Sequence, residues 1–144
     1  MNKRSISYLI ICLACLLSLG CQSQKVCING ACLQVEVADS RPERERGLMF
    51  RDALAQNQGM LLVLEDPRQS AIWMKNMRFP LDIIWISADN KVADLRTNVL
   101  PCKSSDCESL YPNNPARYVL EVNAGFSQKN RIKIGDKVFF APQP

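Results

Sequence analysis

The stretch Val26-Cys27-Ile28-Asn29-Gly30-Ala31-Cys32-Leu33 sets the reading of the whole chain. Asn-Gly between apolar residues is the strongest short hairpin signal, because both residues accept the positive φ of a two-residue type I′ turn. Such a turn places Ile28 opposite Ala31 and Cys27 opposite Cys32, in the closer, non-hydrogen-bonded position where a bridge fits. Beyond it, Leu33, Val35 and Val37 alternate with Gln34 and Glu36 as far as Ala38, the pattern of a half-buried strand. Further strands are expected at 60–64, 72–76, 82–87, 91–100, 118–122 and 137–140. Pro80 bars regular pairing in the 77–81 stretch that separates 72–76 from 82–87.

Helical signals are few. Ser40-Arg41-Pro42-Glu43 has the form of a capping box with proline in the first turn. It predicts a helix over 41–54 that Gly47 weakens or ends early. A helical turn is expected at 125–130, a turn at Gly135-Asp136, and an ordered loop over 101–115, which holds three prolines. The fold class is therefore β-rich α+β: one compact domain of short, mainly antiparallel strands with one or two short helices, a pattern that barrel-like closure would satisfy.

Composition narrows the chemistry. The 144 residues carry a net charge of +4, seven cysteines and no histidine. That excludes Ser-His and Cys-His nucleophile pairs, imidazole metal ligation and an imidazole pH switch. The small positive excess lacks any basic run interleaved with aromatics, so nucleic acid is not expected as a partner.

Asn2-Lys3-Arg4 followed by the uncharged stretch 5–20 suits a secretory signal better than a membrane span, which needs roughly 20 apolar residues. Leu17-Ser18-Leu19-Gly20-Cys21 resembles the lipobox of bacterial lipoproteins, with Ser18 where leucine is usual. The resemblance implies a signal peptide over 1–20, acylation of Cys21, a tether over 21–24 and a domain over 25–144. An uncleaved anchor helix is the rival reading, and either one puts the domain on the extracytoplasmic side of the cell envelope. Gln22 after the cysteine, by resemblance to lipoprotein sorting, points to the outer membrane where one exists. The membrane, through the lipid on Cys21, is thus the first expected partner.

Setting aside Cys12, Cys15 and Cys21 leaves Cys27, Cys32, Cys102 and Cys107, two close pairs. Outside the cytoplasm they read as disulfides, and of the possible connectivities geometry favours the local one. A four-cysteine zinc site is the rival; it prefers tighter pairs and a reducing compartment. Neither pair has redox-active C-x-x-C spacing. Met49, Met60 and Met74 are soft ligands in principle, but their apolar neighbours point to core packing. No metal and no cofactor is expected.

Five blocks then follow in order: 44–51 (Arg44-Glu45-Arg46-Gly47-Leu48-Met49-Phe50-Arg51), Gly59-Met60-Leu61-Leu62, Ile72-Trp73-Met74-Lys75-Asn76, Pro80-Leu81-Asp82-Ile83-Ile84, and 118–125 with Gly135-Asp136-Lys137-Val138. Together they resemble the bacterial and archaeal family known as domain of unknown function 192. The likeness runs from about Val35 to Phe140. Met77 stands where that family usually has threonine, and Ile72 where phenylalanine is common. The resemblance implies a small β-rich domain, often exported, and no established activity.

Trp73 and Lys75 lie two apart on an expected strand and so share a face, opposite Ile72, Met74 and Asn76. Asp82 opens the next strand and could reach Lys75 across the Pro80 bend, with Arg44 and Arg51 on the preceding helix. Arg44, Arg51, Trp73, Lys75, Asn76 and Asp82 are accordingly the candidate ligand-binding set. An aromatic floor and cationic donors would receive a small anionic or sugar-like ligand, or an envelope protein. Structural roles compete for each residue: Asp82 fixing the bend, Asn76 capping a turn, the arginines pairing with Glu43, Glu45 or Asp52. No catalytic residue is assigned. The expected role is a non-catalytic binding module; the alternative is a hydrolase or transferase on an envelope polymer using Lys75, Asp82 and Glu121.

Overall fold

Asn29 and Gly30 take φ of 51° and 80°, so the expected turn forms and joins β1 (Ser23–Ile28) to β2 (Ala31–Ala38). Cys27 faces Cys32 in the antiparallel register, with Cα atoms 4.1 Å apart and sulfurs at 2.10 Å. Cys102 and Cys107 likewise lie at disulfide distance, 2.11 Å. Both distances fit the local pairing. The computed structural model describes residues 23–68 and 71–141. The expected signal segment and the expected lipid site Cys21 lie outside the described residues.

Five further strands complete the sheet: β3 (Gln58–Val63), β4 (Leu81–Ile86), β5 (Val92–Val99), β6 (Tyr118–Asn123) and β7 (Val138–Ala141). Their order is β5-β4-β6-β3-β2-β1-β7. Among the pairs these seven strands form, only β2–β3 is parallel. The sheet curls until its two edges meet, where Lys91 bridges Lys137 and the Val92 N–H donates to the Asp136 carbonyl at 2.9 Å. The result is a half-barrel, β-rich with two short helices, as the sequence pattern predicts.

The curl explains why β3, β4 and β6 read as apolar runs rather than alternations: each is covered on both faces. On the concave side, Val26, Val35, Leu61, Ile84, Leu120, Val122, Val92 and Val138 form one core. On the outer side, Met60, Leu62, Leu81, Ile83, Trp85 and Val119 form a second, covered by Leu48, Leu54, Ile72, Met74 and Met77 from connecting segments.

Two expected elements are corrected. The helix is α1 (Arg41–Arg46), six residues long, with the capping box formed between Ser40 and Glu43. It stops at Gly47, whose φ of 47° and ψ of −134° leave the helical region, so 47–54 is not helical. Residues 72–76 do not form a strand. Their backbone meets segment 101–110 only at Ile72–Leu110 and Lys75–Cys102, because the partner is an irregular, disulfide-closed loop rather than a strand. The second helix, α2 (Phe126–Lys129), is one turn.

Candidate functional site

On the outer face of β3, β4 and β6 lies one buried acidic residue, Glu121. Register aligns Glu36, Met60, Glu121 and Ile83 in one row across β2, β3, β6 and β4. Glu121 shares its face with Val119, a member of the outer core. It is 5% exposed, and its Oε2 finds no hydrogen-bond partner among the described residues. Burial pushes the carboxyl up to about 7, against the opposing pull of the Arg51 charge.

The segment after α1 is folded to fit over this carboxyl. A β-carbon at Gly47 would lie 3.5 Å from Glu121 Oε2, and the positive φ there is one that L side chains rarely adopt. Four residues on, Arg51 grips Glu36 with both terminal nitrogens, at 2.6 and 2.7 Å. That fork-on-fork contact holds the Glu36 carboxyl below its usual range. The Phe50 N–H donates to the Asn76 carbonyl at 3.0 Å, and Arg78 pairs with Asp52. The 47–52 and 72–78 segments are thereby tied together over the sheet.

Between them opens a cavity of about 630 Å³. Its lining divides by burial. Leu48, Leu62, Leu64, Ile72 and Met77 are buried and form apolar walls, and Glu121 is the one buried ionisable group among the lining residues. Arg41, Arg44 and Arg46 of α1 line the mouth with Trp73, which is 44% exposed. Arg41 is paired with Glu45 at 2.8 Å. Arg44 is paired with Glu65 at 2.5 Å and also donates to the Asp39 carbonyl. Arg46 makes no ion pair among the described residues. A smaller recess of about 300 Å³ lies on the other side of Gly47 and Met49, lined by Glu36, Phe50 and Arg51.

The expected binding set is therefore split. Arg44 and Trp73 line the main cavity. Arg51 lines the smaller recess, closed onto Glu36. Lys75 places its Nζ 5.4 Å from the Trp73 ring centre, on the same side as expected, but it does not line either cavity. Asn76 is exposed rather than sharing the buried face of Ile72 and Met74, since its φ of 56° breaks the alternation. Asp82 does not reach toward Lys75. Fully buried, it accepts from the N–H groups of Asn98 at 2.9 Å, Gly125 at 3.2 Å and Ser127 at 2.8 Å. Its carboxylate ties the irregular end of β5 and the turn into α2 to β4, and belongs to the scaffold.

Sequence reasoning passed over Glu121 as a binding group, although the signal was present: one acid in the otherwise apolar run Val119-Leu120-Glu121-Val122. Arg46 and Gly47 were also readable within the 44–51 block. Lys75 and Asp82 do not join Glu121 in the cavity, so the three groups on which the hydrolase alternative rested are not assembled in one cleft.

The family model for DUF192, described as "Uncharacterized ACR", matches residues 24–140. UPF0127 proteins from Thermococcus kodakarensis and Thermococcus gammatolerans are 25% and 28% identical over 109 and 104 residues, or 76% and 72% of this chain. The chain spans 66% and 64% of the length of these relatives. A crystal structure of a protein of unknown function from Novosphingobium aromaticivorans is similar with a TM-score of 0.71 and 33% identity, covering 81% of this chain and 83% of that one. A proposed transcription regulator from Sinorhizobium meliloti is similar with a TM-score of 0.71 and 32% identity, covering 82% of this chain and 93% of that one. The two solved structures share the fold of this chain. With the family model matched across nearly the whole described domain, the chain belongs to the uncharacterised DUF192 family.

Proposed function

We propose that this protein is a lipid-anchored extracytoplasmic binding module of the cell envelope, and that the cavity between α1 and the sheet receives a small ligand, anionic or sugar-like. The observation that supports binding most strongly is the cavity itself: about 630 Å³, with buried apolar side chains and an orphaned carboxyl inside and a polar mouth where Arg41 and Arg44 are paired with Glu45 and Glu65 and Arg46 is not. That volume lies in the range of small-molecule sites, where a few polar groups on apolar walls fix orientation. Arg46 and Trp73 supply a charge and a flat face at the entrance; Arg44, tied to Glu65, contributes field more than a free donor. The anchoring part of the reading is supported by the lipobox-like Leu17-Ser18-Leu19-Gly20-Cys21. More than one acyl chain gives stable attachment.

Two experiments test the reading. Cys21→Ala should leave the protein unprocessed and release it from, or mislocalise it within, the membrane fraction; unaltered processing and fractionation would sink the anchor. For the cavity, Trp73 is the partly exposed tryptophan and Trp85 is fully buried, so tryptophan emission reports on the mouth. Envelope small-molecule fractions that shift this emission in the wild type should lose their effect on an Arg46→Ala protein that keeps Trp73. An unchanged response would remove Arg46 and the cavity mouth from the reading.

A further inference from the structure

Resting on that binding reading, we infer that the cavity selects an amphiphilic anion that presents a single hydroxyl to Glu121, its acid group at Arg46 and its apolar body between them. The argument begins with the two groups the fold leaves unmatched. Glu121 is buried, with an oxygen that has no partner. Arg46, at the mouth of the same cavity, makes no ion pair among the described residues, whereas Arg41 and Arg44 beside it are both paired. A buried polar group without a partner is costly, and a ligand that satisfies it recovers that cost on binding.

The surroundings of Glu121 decide what can satisfy it. Leu48, Leu62 and Ile72 offer no side-chain hydrogen bonds, and Met77 only a weak thioether acceptor. An ammonium carries three donors and would find one carboxyl, leaving its remaining protons unpaired in an apolar space. A sugar ring pushed inward meets the same difficulty with several hydroxyls at once. A lone hydroxyl needs little more than one donor and one acceptor. A carboxyl offers acceptor oxygens when ionised and both functions when protonated. The carboxyl's position near neutrality, pushed up by burial, suits this exchange without demanding a charged partner. At the other end, the unpaired guanidinium of Arg46 favours a carboxylate or phosphate, which it can take in bidentate fashion. The buried side chains of Leu48, Leu62, Leu64, Ile72 and Met77 inside the mouth favour a hydrocarbon body over a polyol. The ligand class is thus a hydroxylated aliphatic acid rather than a polyhydroxylated sugar acid.

The test compares three probes on the full-length protein by calorimetric titration at neutral pH: octanoate, 8-hydroxyoctanoate and glucuronate. The expected order is 8-hydroxyoctanoate tighter than octanoate by roughly two- to tenfold, the worth of one net hydrogen bond, with glucuronate weakest. Glu121→Gln, whose amide still donates and accepts, should keep that preference, and Glu121→Leu should erase or reverse it. Circular dichroism verifies that both variants are folded; if Glu121→Leu fails to fold, the wild type and Glu121→Gln carry the comparison. Equal binding of octanoate and 8-hydroxyoctanoate to the wild type, or tighter binding of glucuronate, overturns the inference. If octanoate still binds and Arg46→Ala weakens it, the cavity reading survives that result. If no probe binds, or Arg46→Ala changes nothing, both fail together.

Discussion

Replacing Glu121 by glutamine should change how stability depends on pH more than it changes stability at any one pH. Burial raises the carboxyl from an ordinary 4.5 to about 7 in the folded protein. The folded state therefore holds the proton more tightly than the unfolded chain does. The stability tied to that proton is fully present below pH 4.5 and is lost as pH rises through 7. At about 1.4 kcal/mol per pH unit, the gap is worth about 3 kcal/mol at high pH, of which about 2.5 kcal/mol disappears between pH 5 and pH 8. That window is unusually clean, since the chain has no histidine to titrate within it. Glu36, whose carboxyl is held low by Arg51, works in the opposite direction. Its contribution is present above about 4.5 and is lost at lower pH, outside the window. Urea unfolding of both proteins at pH 5, 6, 7 and 8 measures the effect. The wild type should lose about 2.5 kcal/mol relative to Glu121→Gln across the series. A direct gain of the variant at one pH is less informative, because the buried amide has its own unmet hydrogen bonds. Parallel curves would refute the buried, proton-holding environment derived for Glu121.

Three further outcomes are expected. Asp82→Ala removes the acceptor for three backbone N–H groups and should cost at least about 3 kcal/mol in chemical denaturation; a loss under 1 kcal/mol would contradict its role as a scaffold clamp. Gly47→Ala puts a methyl group over Glu121 at a φ of 47° and should destabilise by about 1–2 kcal/mol, read as a lower denaturation midpoint; an unchanged midpoint would mean that this backbone relaxes freely. Mass analysis of non-reduced peptides should find Cys27 joined to Cys32 and Cys102 to Cys107, and a Cys27–Cys102 peptide would refute the local pairing.

Most of the scaffold was legible because its signals are local. Asn29-Gly30 fixes a turn, the turn fixes the cysteine register, and Ser40 with Glu43 fixes a helix start. What sequence periodicity could not supply was the partner of each segment. Residues 72–76 alternate in burial at first like a strand, yet they face a proline-bearing, disulfide-closed loop and gain two isolated bridges. Asp82 reads as a group beside a bend and is in fact wrapped by N–H groups distant in sequence, from β5 and from the turn into α2. The site was legible in half. Arg44 and Trp73 line the cavity, but Glu121 became its inner polar group only when β6 was placed centrally and Gly47 folded over it. That placement depends on strand order, which no local pattern encodes.

The central claim, that a small molecule occupies the cavity between α1 and the sheet, is tested most directly by native mass spectrometry of the protein purified from its own envelope. The wild type should carry a small-molecule adduct that Arg46→Ala combined with Trp73→Ala sheds while remaining folded. An adduct retained undiminished by the double variant would place the ligand elsewhere and contradict the assignment of this cavity.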